Sequence, residues 1–245
     1  MRHFLTLWRR EVSSYIVSPA LYVTMFAVLA VAGWGFWFLA KCSRGEPPRL
    51  DVVLFQAPTL WGMLLIVAAV LPMKLFAEEK RSGTIETLMT APVTEVEIVL
   101  GKYAAALTLF TVIFAPTLAY SFILQHNSIG MELMDTRTIA SGYLIFFLAG
   151  AFYLSIGMLT SSLSSSQIVA AVSSFCIVLL IFFAGALPSV VGGTVSSIFA
   201  YISPAQHMTD FALGVVDTGP VILYLSGIAL MLFITVKVIE SRRWL

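Results

Sequence analysis

The densest chemistry in this chain lies in one charged run, Ala77 to Ala91, which carries Glu78, Glu79, Lys80, Arg81 and Glu86 in an otherwise mostly apolar sequence. Charges at that density do not sit in hydrocarbon, so the run lies in water between two apolar spans. The residue types suit docking rather than catalysis. Ser82 or Thr84 supplies an N-cap, and Glu86 then falls in the first turn, where a carboxylate complements the helix dipole. Ile85, Leu88 and Met89 share one face at helical spacing, and Pro92 ends the helix. This predicts a short amphipathic helix, entered at Gly83, that offers a soluble partner a small apolar face and several charges. The plainer alternative is a solvated connector.

Other chemistry finds no constellation. His3, His126 and His207 lie far apart in different loops, so no metal site is expected. Cys42 and Cys176 fit no ligand spacing; Cys176, in an apolar run, reads as a packing residue and Cys42 as an outer-face residue. Gly101-Lys102 lacks the upstream glycine of a phosphate loop and opens an apolar span. The chain is therefore expected to be no enzyme and to bind no cofactor itself. A net charge of +1 gives no reason to expect nucleic acid.

The elements that position the charged run are membrane helices. Of 245 residues, 59% are hydrophobic and 11% charged, against about 25% charged in ordinary soluble domains. Six apolar spans, at 19–40, 54–76, 103–124, 138–160, 168–187 and 220–236, each come near the roughly 17–25 residues that cross a bilayer. The fold class expected is an all-α membrane protein, one transmembrane domain over 1–245. No cleavable leader is expected, because the first span is long and no small-residue cleavage site follows it. Ahead of it, Phe4, Trp8, Val12 and Tyr15 recur near helical spacing beside Arg2, Arg9 and Arg10. Residues 1–17 thus read as an interfacial helix or as the basic flank of the first span.

Positive charge sets the orientation. With both termini inside, Arg2, Arg9, Arg10, Lys74, Lys80, Arg81, Lys102, Lys237, Arg242 and Arg243 are cytoplasmic, and only Lys41, Arg44, Arg49 and Arg137 lie outside. The charged run then faces the cytoplasm. Ser161–Gln167 reads as a tight cytoplasmic turn, open to a second partner contact. Gly33, Gly35, Gly142, Gly150, Gly157, Ala170 and Ser174 read as helix-packing positions, and Pro116 as a kink in the third span. The connector 188–219 is broken by Pro188, Gly192, Gly193 and Pro204, yet is too apolar for a free loop. It reads as re-entrant, its backbone shielded by protein. The spans hold no carboxylate, which argues against an ion-coupled carrier and for an energy source outside the chain.

The segment from Phe76 to Val93 resembles the E-(x)-R-x-x-G-T-x-E-x-L-x-x-x-P-V stretch of ABC-2 type transporter permeases, and Gly101-Lys102 fits its continuation. The resemblance implies an elbow helix over 1–17, a coupling segment over 77–99 and a re-entrant hairpin over 188–219 that helps close the outer end of the pathway. It also implies an ABC ATPase partner that binds ATP and Mg, with Glu78, Glu79, Arg81, Gly83, Thr84, Glu86, Leu88 and Pro92 in or beside the ATPase contact. A second permease copy or related chain would complete the pathway, in the bacterial inner membrane. Ser203-Pro204 with His207, Phe211, Gly214, Val215 and Asp217, and the tail Glu240 to Trp244, resemble the gliding-motility and copper-enzyme-maturation members. Two readings from other classes stay beside this one: an ion-coupled carrier or channel without ATPase, and a non-transporting scaffold that anchors an ATPase.

Overall fold

The computed structural model describes residues 2–42, 58–85, 93–120, 136–185 and 201–242. Those residues are helical and contain no strand. In chain order they form α1 (Arg2–Val17), α2 (Pro19–Cys42), α3 (Pro58–Val70), α4 (Met73–Arg81), α5 (Glu95–Phe114, extended by a 3-10 turn at Ala115–Thr117), α6 (Thr136–Leu163), α7 (Gln167–Ala184), α8 (Pro204–Ala212) and α9 (Thr218–Arg242).

Six helical stretches among them are long and apolar enough to cross a membrane: Pro19–Phe38, Thr59–Arg81, Glu95–Tyr120, Arg137–Leu163, Gln167–Ala184 and Thr218–Ser241. They divide by burial. The second, third and fourth are 67%, 61% and 72% buried within the chain, and the other three 22%, 17% and 17%. The former make the core, with Leu64, Phe110, Phe114, Ile145 and Tyr153 fully enclosed. The latter form a rim whose large apolar side chains, such as Phe26, Ile168 and Leu180, face outward. Outward apolar surface on that scale suits lipid rather than water. Cys176 belongs to this outward rim and is exposed, contrary to its reading as a packing residue.

Helix α6 is the central post, contacted by α3, α4, α5, α7, α8 and α9. Small residues let neighbours close on it. A Cβ at Gly150 would lie 2.3 Å from Cζ of Phe110. One at Gly157 would lie 2.2 Å from Cγ of Pro72 and 2.9 Å from the Ala68 carbonyl oxygen.

The second span differs most from expectation. It is not one helix over 54–76. It breaks between α3 and α4 at Leu71–Pro72 and then runs on to Arg81. Proline has no N–H to give the Ala68 carbonyl, and its ring crowds the preceding turn. Glu78 to Arg81 therefore continue a membrane helix instead of starting a loop. The third span begins at Glu95, ahead of the expected 103, because Thr94 and Glu97 form a reciprocal capping box. Near Pro116 the third helix tightens into a 3-10 turn, where a kink was expected. Residues 161–163 finish α6, leaving only 164–166 as the turn to α7.

Candidate functional site

At one end of the bundle, α1, α4 and the start of α5 meet around a buried lysine. Helix α1 turns Leu7 and Tyr15 inward, with Phe4, Trp8 and Val12 half-buried beside them, so this face packs on α5 and α2. Gly101 permits the close crossing: a Cβ there would lie 3.2 Å from Cβ of Leu7. Trp8 Nε1 donates to Thr108 Oγ1 at 3.0 Å and fixes the crossing point.

Next to Gly101, Lys102 is 1% exposed. Its Nζ lies 2.8 Å from Oε1 of Glu11 on α1 and 2.8 Å from Oε1 of Glu79 on α4. It also stands 5.3 Å from the centroid of the Phe76 ring, within cation–π range. One ammonium thus ties three helices. The second Glu79 oxygen, Oε2, is buried without a hydrogen-bond partner.

The break in the second span is clasped from two sides. Leu75 N–H turns to the Pro72 carbonyl, and the Leu71 carbonyl instead accepts from Tyr15 OH at 2.7 Å. Burial, with Glu11, Glu78 and Glu79 nearby, pushes the Tyr15 phenol upward, so it stays a donor. From α6, the hydroxyl of Ser161 accepts from the N–H groups of Phe76 and Ala77, each at 3.1 Å, and donates to the Met73 carbonyl at 3.1 Å. Lys80 Nζ donates to the Ser162 carbonyl. Helix α4 is therefore a short rod, roughly 13 Å long, fixed at both ends and hinged at Pro72.

The predicted contact residues divide. Glu79 points inward onto Lys102, while Glu78, Arg81, Gly83 and Thr84 are exposed. Ser82 does not start a helix: it caps the end of α4, its hydroxyl donating to the Glu78 carbonyl at 2.9 Å. Gly83 turns the chain with φ +72. Nothing lies within 4 Å of a Cβ built there, so Gly83→Ala meets backbone strain alone. We expect it to cost about 1–2 kcal/mol, and Gly83→Asn less, as read by thermal unfolding in detergent. Glu86, Leu88 and Pro92 lie outside the described residues. Glu11, Lys102 and Ser161 were missed as site residues. The Gly101-Lys102 pair hinted at Lys102, and the Ser161–Gln167 turn at Ser161; nothing in the sequence singled out Glu11.

At the opposite end of α6, α8 carries the other predicted group. Ser203 caps it, accepting from Gln206 N–H at 3.3 Å, and Pro204 opens its first turn. Pro204, His207 and Phe211 are buried. The Phe211 carbonyl accepts from Ser141 Oγ at 2.7 Å, and His207 Nδ1 lies 3.2 Å from Tyr224 OH. Asp217 is exposed, yet it lines one cavity with His207 and Phe211, and its Oδ1 accepts from Gly219 N–H at the start of α9. Residues 186–200 of the expected re-entrant connector, and His126, lie outside the described residues.

Burial lowers the His207 pKa, against the Tyr201 carbonyl, Asp210 and Asp217, which raise it. The undocked state then binds more protons below about pH 6.5. Docking of α8 is stronger at neutral pH and weakens as pH falls below that value. Hydrogen exchange over 204–212, corrected for intrinsic rate, should rise from pH 7.5 to 5.5, and His207→Gln should remove the pH dependence.

Comparison with known proteins gives consistent matches. A family model described as "ABC-2 family transporter protein" matches residues 40–239. The Escherichia coli K12 protein named "Probable multidrug ABC transporter permease YbhR" is 27% identical over 174 residues, 66% of this chain and 44% of the relative. Its counterpart in Escherichia coli O157:H7 matches equally. The chain thus spans less than half the length of these curated relatives.

Proposed function

We propose, on the premise that this chain belongs to the ABC-2 family of transporter proteins, that it is the membrane subunit of an ATP-driven exporter and takes its energy from a separate ATPase. The observation that carries the reading is the Lys102 junction, which joins α1, α4 and α5 close to the turn at Gly83 that follows α4. A push on the turn at Gly83 and Thr84 reaches α4 directly, and α4 is a rod with a break above it. Motion at its foot then moves α1 and α5 together, since Glu11, Glu79 and Lys102 share one charge network. Glu78, Arg81, Thr84, Glu86 and Leu88 are proposed to meet the ATPase, with Glu79 supporting them from inside. ATP and Mg are bound by that partner, not by this chain. Both termini and the charged run are placed in the cytoplasm on the positive-charge count. Two such chains, alike or related, would flank the pathway.

The matched relatives are named for multidrug transport. The resemblance of the last forty or so residues to motility and copper-enzyme-maturation permeases points to a different setting, and the substrate follows from neither. The test is purification of the tagged chain from native membranes in mild detergent, with ATPase activity assayed. A stoichiometric ATPase whose hydrolysis is uncoupled from transport by Glu86→Ala with Leu88→Ala is the expected result. Normal transport by that double variant would end the coupling assignment. Absence of any nucleotide-binding companion would favour an ion-coupled carrier.

A further inference from the structure

With its apolar stripe spent on α5, α1 turns a second face outward. Leu5, Arg9, Ser13 and Ile16 follow one another at helical spacing along it, with Arg10 and Val17 alongside. Leu5 is 58% exposed and Val17 82%. Arg9 and Arg10 have no ion-pair partner among the described residues, although Glu11 on the same helix is paired with Lys102. Leu5, Thr6, Arg9, Arg10 and Ser13 line a shallow cavity of about 490 Å³. The face continues into the outward side of α2, where Tyr22, Val23 and Phe26 are exposed. A cationic concavity edged by apolar side chains, next to a lipid-facing helix, matches a phospholipid in charge and in shape: a phosphate against the guanidinium groups, acyl chains against the apolar rim.

We propose that the outward face of α1 is a seat for an anionic phospholipid, with Arg9 and Arg10 holding its phosphate. Arginine suits the task because its planar fork donates two hydrogen bonds to phosphate oxygens. The site rests on the chain being embedded in a membrane, not on the identity of its ATPase. It gives the junction a lipid input, since Arg10 also borders the cavity that contains Glu11, Glu79 and Lys102.

Native mass spectrometry of the detergent-solubilised chain, titrated with phosphatidylglycerol or phosphatidylcholine, tests this. Each basic side chain near an anionic surface is worth about a factor of five. The wild type should therefore prefer phosphatidylglycerol by roughly thirtyfold. Arg9→Gln with Arg10→Gln should lose that preference. Arg9→Lys with Arg10→Lys should keep most of it, which guards against a Gln variant that fails to fold. Lys41→Gln with Lys237→Gln removes the same charge elsewhere and should leave the preference intact. Retention of the preference by the Gln pair would overturn the proposal. So would equal loss in the Lys41/Lys237 control, which would mark diffuse attraction, or loss on adding inorganic phosphate, which would mark a free-anion site.

Discussion

Lys102→Met should destabilise the chain by about 3–5 kcal/mol, the cost of leaving partners of a buried ion pair without their counter-charge. The methionine fills the space of the lysine stem, so the loss is electrostatic rather than a cavity. Glu11 and Glu79 would face each other across a site where each is almost enclosed, at 12% and 14% exposed. Their repulsion acts between α1 and α4, so α1 should lift from α5. Thermal unfolding in detergent reads the first effect. Hydrogen exchange over α1 reads the second. The triple variant Lys102→Met, Glu11→Gln, Glu79→Gln removes the charge conflict and should recover most of the loss, because replacing a whole buried charge network is often near neutral. A single variant as stable as the wild type would show that water already screens the junction.

Gly157→Ala should also be strongly destabilising. Its methyl would sit 2.2 Å from Cγ of Pro72 and 2.9 Å from the Ala68 carbonyl oxygen. Neither can rotate away, since one is a ring and the other backbone. Overpacking of a filled core usually costs about 1–3 kcal/mol, and this site belongs at the upper end or beyond. The hinge between α3 and α4 would open, and Ser161 would lose its registry with Phe76 and Ala77. Gly62→Ala is the control, since nothing lies within 4 Å of a Cβ there; it should leave stability unchanged. Equal unfolding midpoints for the two variants would show that α6 yields at Gly157 at little cost. On the coupling reading, Gly157→Ala should also reduce transport more than ATP hydrolysis.

Apolar runs of bilayer length and the rarity of charge inside them dictate six membrane helices, because hydrocarbon admits no unsatisfied backbone and few charges. Those features are local, so they are written in the sequence. So are the caps: Ser203-Pro204 starts a helix wherever it lies. Gly83 also announces itself, as a residue free to take a positive φ. What the sequence leaves open is which face of a helix meets which neighbour. The stripe Phe4, Trp8, Val12 and Tyr15 looks the same whether it lies on lipid or on α5. Only packing against Gly101 decides between them. Glu79 reads as a surface charge in a charged run until α4 is seen to continue the second span and turn that carboxylate onto Lys102.

By itself the sequence determined the helical membrane class, the charged segment and the resemblance to a permease family, because composition, period and motif are properties of neighbouring residues. Tertiary structure alone decided that Pro72 breaks the second span against Gly157, and that Ser161 and Tyr15 take up the backbone groups freed there. It alone gathered Glu11, Glu79 and Lys102 into one buried network. Those partners are separated by 23 to 91 positions along the chain, and groups so far apart meet only when the bundle closes and desolvates them together.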